Sequence, residues 1–424
     1  MRKCCSALAL ISLASLAAPA LADEPPPSPD DDIGTRPATL AVPPPEASYD
    51  EERPDTFERP DRFERPGAGG DLQIAEDPAL DWAVLHAGFR PHLGTFGGIA
   101  TFALAHERTE RFYGGFSLSA IRNDAGTHVG LFQIAIGRNL ADSNVGLAQV
   151  AVAENRARSF AGIAQVSLAY NRALDIAGVF QLAGYNRAKR AVEVMQLGGY
   201  NRVDDAFVGV SQIGGFNYAL GDYSGLFQLG VFNVQGEEPF GEARGEARFA
   251  GIAQLGALNS SARYHGVLQL GGLGSYAGEF VGAFQIGGLV VGAEDFTGAA
   301  QIAAGVVSEH SRGVQIGAAA IAFEDHHGLQ LGAVANYAEE ATGVQLGAGN
   351  LTEELVGLQL GVANIADEVD GVQIGVFNHT DRLRGLQIGL VNHAGNGVLE
   401  WSALLNMGFS GEDDAYYEAR NERR

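Results

Sequence analysis

"GVQIGVFNHTDRLRGLQIGLVNHAG", residues 371–395, states one phrase twice, and its reading decides the fold. Gly371-Val-Gln373-Ile-Gly375 returns fourteen residues later as Gly385-Leu-Gln387-Ile-Gly389, and Asn378 returns as Asn392. Val372, Ile374 and Val376 share one parity, while Gly371, Gln373, Gly375 and Phe377 share the other. Strict alternation of this kind is the pattern of a half-buried strand. Glycine at two of every fourteen positions also weakens a helix, by about 1 kcal/mol each relative to alanine. The links "HTDRLR" and "IADEVD" suit a turn and a short return segment. One such unit cannot bury its aliphatic side alone. The expectation is that Val372, Ile374 and Val376 pack against their copies in neighbouring units as the core. The Gly-Gln-Gly side is then left nearly free of bulk, open to another backbone or a flat partner.

Outward from this stretch the phrase fills most of the chain. Its glutamines are Gln133, Gln149, Gln165, Gln181, Gln196, Gln212, Gln228, Gln254, Gln269, Gln285, Gln301, Gln315, Gln330, Gln345, Gln359, Gln373 and Gln387, mostly 14 to 16 residues apart. The one interval of 26 carries an inserted charged loop at 234–249. Early units read Gly-aliphatic-x-Gln, as in Gly178-Val-Phe-Gln181, and late ones Gly-aliphatic-Gln. The extra early residue is placed in a bulge.

Two all-β architectures fit. In a parallel β-solenoid each unit is one coil and equivalent residues stack about 4.8 Å apart. In an antiparallel outer-membrane β-barrel each unit is one strand and a turn, with a Gly/Gln-lined interior. Identical successive units favour the solenoid, because a barrel alternates inner turns and outer loops and repeats over two strands. The solenoid stacks Asn336, Asn350, Asn364, Asn378 and Asn392 into one amide ladder and the glutamines into a second. Against it, Glu339-Glu340, Glu353-Glu354 and Asp367-Glu368 would align like charges.

The unit resembles those of the bacterial surface-repeat proteins, exported proteins of diderm bacteria built from tandem Gly-aliphatic-Gln-aliphatic-Gly-x-x-Asn phrases. Gly343-Val-Gln345-Leu-Gly347 with Asn350 and Gly357-Leu-Gln359-Leu-Gly361 with Asn364 carry the likeness beside the two units quoted first. The flanks "AGFRPHLGTFGG" (87–98) and "SALLNMGFS" (402–410) are also similar, so the resemblance spans about residues 85–410. This chain departs from the pattern in its sixteen-residue units and in those without the asparagine, such as Gln301–Val307, where regular coil geometry is least expected. The resemblance implies placement at the cell surface or outer membrane and carries no reaction to any residue.

The rest of the chain agrees with export. Residues 1–22 combine Arg2 and Lys3, an apolar run from Ala7 to Ala18 and Ala20-Leu21-Ala22, the form of a cleaved signal peptide too short to anchor in a bilayer. Cys4 and Cys5 lie before the apolar run, so the mature chain would have no disulfide or thiolate metal site. Residues 23–69 are rich in proline and acid and read as an extended solvated linker. Residues 81–122 read as N-terminal strands, 123–395 as the repeat domain, 396–410 as a terminal strand and 411–424 as a charged tail. Without Arg2 and Lys3 the 28 basic residues become 26 against 51 acidic, a net −25 that disfavours nucleic acid. The expected partner is a surface ligand or envelope component, with outer-membrane association allowed.

No catalytic constellation stands out. His379 and His393 occupy equivalent positions, and His326-His327 adjoins Glu324-Asp325, but both pairs read as solvated turn residues and not as metal ligands. The acidic turns lack the glycine-rich nonapeptide of calcium-binding solenoids. Arg172, Arg187 and Arg202 follow the repeat asparagine and read as an edge paired with acids such as Asp175 and Asp204, the alternative being a basic column for an anionic glycan or lipid head group. A nucleophile elbow, phosphate loop, zincin helix motif and dinucleotide fingerprint are all missing. An enzyme acting on surface polysaccharide would need clustered carboxylates on one strand face, where the late units carry glycine and glutamine. Catalytic, cofactor and metal residues are therefore expected to be none, and the sequence points to a non-enzymatic structural or adhesive element at the bacterial surface.

Overall fold

The structure, a computed structural model, describes residues 80–236 and 247–409. The expected signal peptide, the linker, the tail and most of the 234–249 insertion lie outside the described residues. Fourteen strands form one sheet: β1 (Leu80–Gly88), β2 (His92–Ala103), β3 (His106–Ser119), β4 (Arg122–Ala135), β5 (Arg138–Ala151), β6 (Glu154–Ser167), β7 (Tyr170–Ala219), β8 (Asp222–Ser224), β9 (Phe227–Gln235), β10 (Arg248–Ala250), β11 (Ala253–Gly287), β12 (Val290–Ile302), β13 (Gly305–Ala394) and β14 (Trp401–Gly408). A straight strand of ninety residues would run about 300 Å, so β13 is a winding path that stays hydrogen-bonded around its corners. Pairing is parallel from β1 to β13 with an offset of one unit, as in Gln133↔Gln149 and Gln149↔Gln165. This is the β-solenoid. The barrel alternative is overturned, because a barrel strand pairs antiparallel with its neighbour, and here only β14 does so, against β13.

The two faces of the phrase are placed the other way round from the expectation. Gln373 and Asn378 are fully buried, whereas Val376 is 48% exposed and Val372 and Ile374 are half-buried on the outer surface. Aliphatics touch their copies on adjacent coils but do not fill the interior. The reason lies just upstream of the phrase. Val369, Leu355 and Leu383 share the glutamine parity and are buried, while Asp370 and Arg384 share the aliphatic parity and are exposed. Charge must face water, so the alternation fixes the glutamines inside. Phe377 stands beside Val376 at a corner where two successive residues point outward, and leaves the glutamine face there.

Buried primary amides are tolerated only when satisfied, and stacking satisfies them. Every repeat glutamine from Gln149 to Gln387 donates its Nε2 to Oε1 of the preceding repeat glutamine, over distances of 2.7 to 3.1 Å, for example Gln149 to Gln133 at 2.9 Å and Gln345 to Gln330 at 2.7 Å. The asparagines donate in the opposite sense, toward the following coil: Asn123 to Asn139, Asn139 to Asn155, and onward to Asn259, then again from Asn336 to Asn392. The asparagine sense is fixed by the second amide hydrogen, which meets a backbone carbonyl that only a nitrogen can serve, Val150 O for Asn139, and several glutamines are fixed the same way, Gln285 by Gly292 O. Opposed senses leave an unfilled acceptor at one end of each ladder, and Asn123 Oδ1, Asn336 Oδ1 and Gln387 Oε1 are those atoms.

A third interior column lies five residues before the glutamine in the early coils and four before it in the late ones. Phe207, Tyr223, Phe249, Tyr264, Phe280 and Phe296 stack there with centroids 4.9 to 5.1 Å apart. The column continues as Ser311, His326, Ala341, Leu355, Val369 and Leu383, all buried. Glycines open the room these columns need. Gly343 has φ +133°, and a Cβ there would lie 2.1 Å from the carbonyl oxygen of Gly328. The second glycine of the phrase instead clears the asparagine ladder, since a Cβ on Gly375 would stand 2.7 Å from Asn364 Nδ2.

Coil geometry persists where the asparagine is missing. Ser275 accepts from Asn259 at 3.3 Å and ends the first ladder; Val291, Val306 and Ala320 then fill the position with buried apolar groups. The change from early to late units is visible between β12 and β13, where the register shifts between Thr297 and Ala300. Gly298 and Ala299 there face the single Gly313, whose φ is +138°.

Candidate binding face

Because glutamine points in, its immediate neighbours point out, and in the early coils the extra residue leaves the position two before it facing out as well; stacking turns these into columns along the solenoid. Two residues before the early glutamines stand Leu131, Leu147, Ile163, Val179, Val194, Val210 and Leu226, each around two-fifths exposed. A second column after the glutamines includes Leu182, Leu270, Leu360 and Ile388. A third runs along the corner, with Ile136, Val152 and Leu168 early and Val362, Val376 and Leu390 late. Along the first coils this corner borders an apolar groove lined by Phe102, Leu104, Ile136 and Val152. The result is an aliphatic surface on one side of the solenoid, its corner column reduced to glycine or alanine in coils between, as at Gly184, Gly199 and Gly215.

The polar residues singled out in the sequence lie elsewhere. Glu339, Glu353 and Asp367 follow one another from coil to coil; desolvation, then the charges of Glu339 and Asp367, raises the Glu353 carboxyl above the usual range. Arg187 and Arg202 converge on Asp204 at 3.1 and 2.6 Å, and Arg190 takes Asp175 at 2.7 Å. These bonds pair Arg187 and Arg202 with an acid, as the sequence led us to expect, and Tyr185 stacks on Tyr200 at 4.9 Å. His379 and His393 lie on adjacent coils with rings stacked at 4.6 Å, and Trp401 of β14 tilts against His393 at 4.4 Å. The pair at 326–327 is split: His327 faces outward with Nδ1 3.2 Å from Asp325, whose other oxygen bonds His310. His326 points inward, 2.7 Å from Ser311 Oγ, and burial lowers its pKa to about 4. Among the described residues, no group of three or more His, Cys, Asp or Glu is placed to hold a metal ion.

Sequence reasoning passed over three buried titratable groups. His128 continues the ring column from Phe112 at 4.7 Å, and burial lowers its pKa to about 4. Glu107 sits in the asparagine column before Asn123 and collects the hydroxyls of Thr101, Thr109 and Ser117, yet burial keeps its carboxyl raised. Glu193 takes the glycine position of its phrase, where a ring two residues upstream packs in neighbouring coils, as Phe207 does at Gly209. Ala191 stands in place of that ring, which leaves room for the carboxylate; neither oxygen has a hydrogen-bond partner, and burial raises the pKa well above the usual value. The signal was the paired exception Ala191 and Glu193, each breaking its column in the same coil. All three groups lie inside the solenoid wall and serve packing.

The described surface carries a long aliphatic face on a frame joined by two amide ladders. No helix among the described residues is long and apolar enough to cross a membrane. No protein-family model, curated protein or solved structure matches this chain.

Proposed function

We propose that this chain is a non-enzymatic exported surface-repeat protein that serves as a structural or adhesive element at the bacterial cell surface, joined to it through the proline-rich linker. The observation that carries the reading is the outward aliphatic face. Large contiguous apolar patches on soluble proteins mark interaction sites, and this one is repeated coil after coil on a frame whose ladders resist bending. Among the described residues the buried carboxylates Glu107 and Glu193 and histidines His128 and His326 stand apart along the interior. The signal-like N-terminus and the resemblance of the repeat to surface-repeat proteins support the location.

The test is proteinase treatment of intact cells together with fractionation. Display at the surface predicts that the chain is cleaved on intact cells and sediments with the envelope. Recovery of the whole chain as a protected, soluble periplasmic protein would overturn the reading.

A further inference from the structure

We propose that the aliphatic face is covered by the same face of a second copy of this chain, giving a face-to-face dimer; this rests on the face being the binding element. The first argument is area. Seventeen coils at about 4.8 Å make a face about 77 Å long, and outer columns four residues apart in the late coils, as Val372 and Val376, at about 3.3 Å make it about 13 Å wide, hence about 1,000 Å² in all, with glycine or alanine at the corner position of ten coils. The largest apolar patch of an ordinary monomer is roughly 300–600 Å², while a stable interface needs about 800 Å² from each partner.

Pitch is the second argument. The columns Leu131–Leu226 and Ile136–Leu168 repeat at strand spacing over seven and three coils, and the position directly after the glutamine stays aliphatic from Ile134 to Ile388. A second copy carries the same ridges at the same spacing, so ridge and groove match over the full face under a two-fold axis. A globular partner lacking this repeat would match over a few coils only.

The other occupants fit less well. The chain's own remaining segments, 23–79, 237–246 and 410–424, are rich in proline, acid and arginine and contain no aliphatic run able to cover such a length. A bilayer surface recruits faces flanked by lysine and arginine. Here the acidic turns Glu339, Glu353 and Asp367 and a formal net charge of −23 oppose an anionic membrane. Packing two sheets face to face instead leaves both acidic corners in water.

The experiment is sedimentation equilibrium of the exported chain across nanomolar to micromolar concentrations, beside a face variant and a control. Ile163→Lys, Val194→Lys and Leu226→Lys together place charges on alternate coils of one exposed column without entering the core; Asp142→Lys alters an exposed position of β5. The proposal expects a dimer for the natural chain and for D142K, and a monomer for the triple variant with an unchanged β-sheet circular dichroism spectrum and at least a hundredfold weaker association. A natural chain that stays monomeric throughout overturns the proposal, as does a dimer that survives the triple substitution. A monomer that floats with phosphatidylethanolamine–phosphatidylglycerol vesicles overturns it in favour of a bilayer. Proteinase accessibility on cells is scored separately, so surface display can stand while dimerisation fails.

Discussion

Gln285→Met tests which face is the core. Gln285 donates to Gln269 Oε1 at 2.9 Å and to Gly292 O at 2.9 Å, and accepts from Gln301 Nε2 at 2.8 Å. Methionine keeps the length and the unbranched shape, so little volume changes, but three buried partners lose their bonds. An unsatisfied buried polar group costs about 1–3 kcal/mol, so three give an expected loss of about 3–9 kcal/mol, lowered where a neighbour relaxes. Val281→Ala in the same coil is the internal comparison. Val281 is 40% exposed, and losing two methyl groups worth about 0.8 kcal/mol each when fully buried costs about 1 kcal/mol. Urea unfolding followed by circular dichroism, with the monomeric triple variant as background, compares them free of association. Repeat proteins can unfold locally, so native-state hydrogen exchange at the flanking coils accompanies the melt. A larger loss from V281A than from Q285M would refute the placement of the amides.

Three further predictions concern other parts of the interior. Gly343→Ala brings a Cβ within 2.1 Å of Gly328 O at a left-handed φ, and is expected to cost at least ~3 kcal/mol, whereas Gly349→Ala, whose nearest atom is 3.6 Å away, should stay within about 0.5 kcal/mol; urea midpoints distinguish them. His128 and His326 hold folded pKa values of about 4 against an ordinary 6.5. Unfolded imidazoles gain protons first, so stability is complete above pH 6.5 and falls toward pH 4 by roughly 3 kcal/mol for each, and His128→Phe should remove its share and flatten the acid limb of a pH–stability curve. Glu193 has its carboxyl raised well above the usual value, so its contribution is complete below the unfolded pKa and is lost as pH rises, at about 1.4 kcal/mol per pH unit while the folded group stays protonated. Glu193→Gln is expected to raise stability at neutral pH and abolish that slope; an unchanged slope would show that another group titrates.

The solenoid and its ladders were legible in the sequence because repetition is a strong constraint. A fixed interval between Gln373 and Gln387, matched by Asn378 and Asn392, leaves one register, and amides at a fixed interval must meet. The inward direction was harder to read, because hydrophobicity alone assigns Val372 and Ile374 to the core. Two neighbouring positions held the answer: Asp370 and Arg384 sit on the aliphatic parity, and Val369 and Leu383 on the amide parity. Extending the alternation two residues upstream would have reversed the assignment. The ring column was hidden because its residue type changes from phenylalanine to histidine, alanine and leucine, and because its distance from the glutamine shortens by one when the bulge is lost. The binding face could not be read before the inversion, since it is made of the residues that hydrophobicity assigns to the interior. Glu193 and Ala191 are legible only as a pair, each explained by the space that the other vacates.

The central claim is that carboxamides line the inside of this solenoid while aliphatics line the outside. Hydrogen–deuterium exchange of the glutamine and asparagine side-chain amides, read by ¹⁵N NMR on the monomeric triple variant, tests it most directly. The account predicts that Gln181, Gln285, Gln345 and Asn364 exchange at least about a thousandfold more slowly than free carboxamides, through opening of the coils alone. Exchange of these side chains at the rate of free carboxamides in the folded protein would contradict it.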